Sequence, residues 1–173
     1  MKWGDYLVLI ILILVSLTLQ STLLATFTPF AVIPDLILIL VVCTALIKGS
    51  NYGAIFGFCA GLALDLVSSN FIGFHAVTKF IIGAVFGLVE GKIFKENILL
   101  PVFVLFVATW LQEFIFGFLA ITFRQLDVSF WWMLWKIILP VSIYNAVLAP
   151  FIYPRLYQWY QGRSRYARER KRV

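Results

Sequence analysis

Charged side chains are scarce in this chain: its 173 residues include 14 Lys or Arg, 8 Asp or Glu and a single His, and charged residues make up only 13% of the total. A soluble domain ordinarily carries about 25%, so water is not the main solvent of the folded chain. The two cysteines, Cys43 and Cys59, each lie within an apolar run and have no partner at metal-ligand spacing. That argues against a disulfide or a zinc motif and leaves both as small packing residues. A lone histidine among scattered carboxylates argues equally against a metal centre. No nucleophile elbow, phosphate loop or paired-carboxylate motif occurs, so the sequence points to no enzymatic reaction and no cofactor.

What the chain does have is apolar surface, with 62% hydrophobic residues and a mean hydropathy of +0.98. A membrane crossing needs roughly 20 apolar residues, so this length accommodates about six crossings and little else. Polar breaks at Thr28-Pro29, Lys48 to Asn51, Ser68 to Asn70, Lys92 to Asn97 and Arg124 to Ser129 delimit the segments. The expected helices are Tyr6–Phe27, Asp35–Lys48, Asn51–Ser68, Phe71–Gly91, Ile98–Phe123 and Phe130–Tyr153. Together they form one all-α membrane domain over residues 1–160, followed by a basic tail at 161–173. The second segment is short, which predicts a tilted or shallow helix whose ends are protected by protein. No small-x-small cleavage pattern follows the first apolar run, so it reads as a retained helix and not as a signal peptide.

Orientation follows from the basic residues, which are held on the cytoplasmic side. With the N-terminus inside, the inner connections carry Lys2, Lys48, Lys92, Lys95 and the Arg-rich tail, whereas Thr28–Pro34 and Ser68–Asn70 carry no charge. Both termini are therefore expected in the cytoplasm. Trp3, Tyr6, Trp131, Trp132, Trp135, Tyr153, Tyr157, Trp159 and Tyr160 fall where the interfaces should lie.

Small residues recur at helical spacing. Gly49, Gly53, Gly57 and Gly61 mark the third segment, and Gly83, Gly87 and Gly91 the fourth. Such strips let two backbones meet in van der Waals contact that lipid does not match. A strip of this period drifts by about 40° per step, so Gly53 to Gly61 should serve one partner while Gly49 faces elsewhere; Gly83 and Gly87 should complete a packing surface within the subunit.

Ionisable residues inside spans are costly and normally face protein or water. They are Asp65, His75, Lys79, Glu113 and Lys136. At the helical rise, Asp65 and His75 lie roughly 5 Å below the outer surface and Lys79 about 12 Å below it. Asp65 is thus expected to meet His75 or Lys79, with Asp65 and Lys79 neutralising one another, or else to line an outward pocket for a partner or solute. Lys136 should snorkel outward. Asp35, after Pro34, should cap the second helix. Asn145 should hydrogen-bond a neighbouring helix or a carbonyl freed where Pro150 and Pro154 break the hydrogen-bond ladder of the last helix near the inner surface. Arg163, Arg165, Arg168 and Arg170 suit anionic headgroups or an acidic protein face; nucleic-acid binding is disfavoured for so short a tethered run.

The order of these features resembles the MreD family: Pro34-Asp35-Leu36, Ala45-Leu46 to Gly49, Gly53-Ala54, Gly57-Phe58, Gly61-Leu62, Asp65-Leu66, then Gly73, His75-Ala76 and Gly83. Tyr144-Asn145-Ala146 with Ala149-Pro150 and Pro154 before a basic tail adds a second match. The resemblance implies a non-catalytic inner-membrane protein that assists the scaffold MreC, MreB filaments, the RodA glycosyltransferase and a class B penicillin-binding protein in cell-wall elongation. It also implies a bundle similar to the substrate-binding components of energy-coupling-factor transporters. The competing reading is such a transporter component itself, holding a vitamin or metal through Asp65, His75, Lys79 and Glu113; a proton-coupled carrier is a weaker one, because no inverted repeat is discernible.

Overall fold

The structure is a computed structural model that describes residues 3–24, 33–68, 72–90, 99–124 and 130–169. Among the described residues there are six main helices and no strand. Helix α1 (Trp3–Thr18) runs on into a wider π-helical stretch, Leu19–Leu24. Then come α2 (Leu36–Lys48), α3 (Ser50–Ser68), α4 (Phe74–Gly87) and α5 (Leu99–Arg124). Helix α6 (Leu139–Glu169) follows a single α-helical turn, Phe130–Met133, and a second π-helical stretch, Leu134–Ile138.

The segments Ser50–Val67, Leu99–Phe123 and Trp131–Gly162 are long and apolar enough to cross a membrane; Val8–Thr22, Leu36–Lys48 and Phe74–Gly87 are apolar but shorter. The shortness of α2 has a physical reason. Ile37, Leu38, Ile39, Val41, Val42, Cys43 and Ala45 are all fully buried, so apolar side chains surround the whole helix and protein surrounds them in turn. Helices α1, α3, α4, α5 and α6 all pack against α2, which makes it the axis of the bundle. Ile10, Ile55, Phe103, Phe114, Phe118 and Phe151 face outward, the reverse of a water-soluble surface and the ordinary condition of one solvated by lipid.

Several sequence expectations need correction. Helix α4 ends at Gly87 rather than Gly91. The last helix does not end at Tyr153: it continues to Glu169, with Pro150 and Pro154 inside it. A proline removes one ladder bond, and here Ala149, Tyr153, Leu156 and Tyr160, all buried, hold the helix against the core across that gap. Tyr153 and Tyr160 are thus core residues and not interfacial anchors, whereas Trp131, Trp132 and Trp135 are exposed. Cys43 is buried, but Cys59 is exposed and does not serve the core. Lys136 is exposed as well. The side chains of Trp3, Tyr6, Arg163, Arg165 and Arg168, together with Lys2, Gly91, Lys92, Lys95 and Arg170, lie outside the described residues.

Candidate functional site

The most intimate contact in the bundle joins α3 to α4. A Cβ built on Gly53 would come within 2.6 Å of the Gly83 carbonyl oxygen, and one on Gly61 within 2.7 Å of the Ala76 Cα. At Gly57 it would fall on the Lys79 carbonyl, and at Gly87 it would sit 2.6 Å from the Gly49 carbonyl carbon. Gly49, expected to face elsewhere, lies at this same seam. Its φ of +89° ends α2, and its α-carbon faces the Glu90 side chain.

Close backbone approach brings the base of Lys79 against α3 and sends its long side chain toward the middle of the bundle, where it is fully buried. Its ammonium donates to Asp35 Oδ2 at 2.5 Å and to Gln112 Oε1 at 2.8 Å. This overturns the expected Asp65–Lys79 pair. Asp35 closes the first turn of α2 by accepting from the Leu38 amide through Oδ1 at 2.8 Å, and Gln112 Nε2 donates to its Oδ2 at 2.9 Å. One carboxylate is therefore both helix cap and counter-ion. The Asp35 amide donates to Asn145 Oδ1 at 2.9 Å, and Asn145 Nδ2 donates to Thr109 Oγ1 at 3.0 Å. From the π-helical stretch after α1, Gln20 Nε2 donates to the Pro34 carbonyl at 3.1 Å. The result is a polar knot tying α2, α4, α5 and α6 to one another and to the end of α1. Inside an apolar bundle a charge persists only when paired and hydrogen-bonded, and Asp35 and Lys79 meet that condition jointly.

Asp65 does different work. It accepts from the amides of Gly73 at 2.8 Å, His75 at 3.1 Å and Ala76 at 3.1 Å. It therefore caps α4 from the far end of α3, satisfying orphan donors and facing the positive end of the helix dipole. Gly73, in the left-handed region at φ +110°, supplies no cap of its own. Replacing Asp65 by Ala is expected to lower stability by the about 0.5–2 kcal/mol seen for lost N-caps, because three amide donors at the start of α4 lose their acceptor. Thermal unfolding in detergent measures this, and an unchanged midpoint would remove Asp65 from the role.

His75 stacks on Phe116, with ring centroids 4.7 Å apart at 19°, and among the described residues its Nδ1 meets no hydrogen-bond partner. Glu113 accepts from Gln112 at 3.3 Å and lies at the edge of the knot. A cavity of about 360 Å³ opens beside these groups, bounded by Gln20, Asp35, Leu64, Val67 and His75. Asp35, Lys79, Glu113 and Asn145 are thus brought together, His75 borders them across the cavity, and Asp65 meets His75, the other of its two expected partners, through the His75 amide. Gln112, Thr109 and Gln20 are neutral, so they lack the cost of burial that marks an ionisable group inside a span as a site candidate. A neutral amide one residue before Glu113 was the available signal. Among the described residues, no group of three His, Cys, Asp or Glu side chains converges as a metal site.

The sequence model of one protein family, the rod shape-determining protein MreD, matches residues 2–163. The chain belongs to the MreD family. MreD-family membership makes it a membrane protein of the rod-shape-determining system, a structural component and not a member of a known enzyme family. No curated protein and no solved structure matches it.

Proposed function

We propose that this chain is the polytopic inner-membrane subunit of the cell-elongation machinery that binds MreC and helps couple MreB filaments to peptidoglycan synthesis by RodA and a class B penicillin-binding protein. The family match across residues 2–163 carries this reading. In it, residues 1–160 form a single membrane domain, both termini are cytoplasmic, and the tail with Arg163, Arg165, Arg168 and Arg170 contacts anionic lipid headgroups. The polar knot supports a scaffold role. Asp35 and Lys79 neutralise each other, so this pair of charges holds helices in place and is not offered to a solute.

The energy-coupling-factor transporter reading has one observation in its favour, the cavity beside Gln20 and His75. A photocrosslinker at Val67, which is exposed and lines that cavity, separates the two in native membranes. Capture of MreC or a wall-synthesis enzyme is the expected outcome, together with co-purification of MreC in mild detergent. Capture of an energising transporter subunit, or protection by a small solute, would replace the scaffold reading.

A further inference from the structure

A second cavity, of about 270 Å³, lies at the opposite end of α2 from Asp35, between α1, α2, α3 and α6. Its walls are apolar, formed by Leu9, Ile13, Phe56 and Cys59, and its polar end is marked by Lys48 and Tyr160. The Lys48 ammonium lies 4.6 Å from the centroid of the Tyr160 ring, and among the described residues it has no carboxylate within ion-pair distance. On the inner wall Thr44, only 1% exposed, has a hydroxyl with no hydrogen-bond partner among the described residues.

An apolar cleft lined by one cation has the amphipathic character that suits a single lipid. The medium around the bundle supplies hydrocarbon at high concentration, and an apolar cavity open to it gains dispersion contacts by taking up a chain. A chain alone would not discriminate among lipids. The ammonium does: a basic group between membrane helices recruits an anionic headgroup, and Lys48 is part of the cavity's lining. We propose that this cleft is a binding site for one anionic phospholipid, with an acyl chain along Leu9, Ile13, Phe56 and Cys59 and the phosphate at Lys48. The site is separate from the polar knot and does not depend on which side of the membrane this end faces.

Full-length protein in nanodiscs containing phosphatidylglycerol with a diazirine in its acyl chain tests the proposal, with the phosphatidylcholine analogue as comparison. Mapping the labelled peptides separates this cleft from lipid held by the Arg-rich tail. Labelling across Leu9–Ile13 and Ile55–Cys59 should be about five-fold stronger for the anionic lipid, the ratio that one lysine at a membrane surface provides. Lys48→Gln should bring it down to the zwitterionic level, and Lys48→Arg should preserve it. Equal labelling by both lipids, labelling indifferent to Lys48→Gln, or labels confined to the tail would overturn the assignment.

Discussion

Lys79→Met is expected to be among the most damaging single substitutions in this protein, lowering stability by about 3–5 kcal/mol, the usual result of leaving one member of a buried ion pair without the other. The residue is fully buried, and its ammonium is bound to Asp35 and Gln112. Removing it strands the Asp35 carboxylate among apolar helices. Asp35→Asn strands the ammonium instead and should cost a similar amount. The informative variant is the pair. Asn at position 35 can still accept from the Leu38 amide and exchange hydrogen bonds with Gln112, and Met at position 79 fills the volume of the lysine stem. Asp35→Asn with Lys79→Met should therefore be far more stable than the sum of the single effects predicts, since replacing a buried pair by neutral groups is often close to neutral. Thermal unfolding in detergent provides the numbers; additive losses would show that the two charges do not depend on each other.

The same variants ask what the charges are for. If Asp35 and Lys79 serve only to hold helices, cells carrying the double variant should regain rod shape along with folded protein. If a partner reads one of those charges, folding should return and shape should not. The knot's central place in the bundle and the mutual neutralisation of the pair support the first outcome.

How much of this could be read from the sequence depended on the kind of interaction. Membrane character and the positions of most helix ends were legible because hydrocarbon imposes one dominant rule, that backbone polar groups be satisfied within helices. The glycine spacing was legible for a similar reason, since a strip without side chains is a pattern along one helix. Partner choice in the knot was not. Helical rise placed Lys79 near Asp65 in depth, but depth fixes one coordinate only. Asp65 turned to the start of α4, where amides of Gly73, His75 and Ala76 already lay in reach, and the lysine found Asp35 forty-four residues earlier in the chain. Contacts between α2 and α5, such as Asp35 to Gln112, depend on the bundle's cross-section, which leaves no periodic trace. The continuation of α6 through Pro150 and Pro154 was hidden likewise, because burial of Tyr153, Leu156 and Tyr160 against other helices decides it.

The glycine seam and the knot are mechanically one device, and this leads to the second large effect. A Cβ at position 57 would fall on the Lys79 carbonyl and come within 2.8 Å of its carbonyl carbon. Backbone cannot rotate away as a flexible side chain can, so α3 and α4 must separate. Gly57→Ala should therefore cost at least the about 1–3 kcal/mol typical of overpacking, and Gly57→Leu should prevent recovery of folded protein. Gly162→Ala is the matching control: nothing lies within 4 Å of its added Cβ, and removing a glycine from a helix should leave stability unchanged or raise it by about 0.5–1 kcal/mol. The link to the knot is tested by combination. Moving α4 away from α3 carries the Lys79 backbone with it and stretches the side chain's reach to Asp35, so part of the loss in Gly57→Ala is loss of that ion pair. In the Asp35→Asn, Lys79→Met background this part is already absent, and Gly57→Ala should cost less there than in the native chain. An identical cost in both backgrounds would mean that the seam holds two helices together without positioning the lysine.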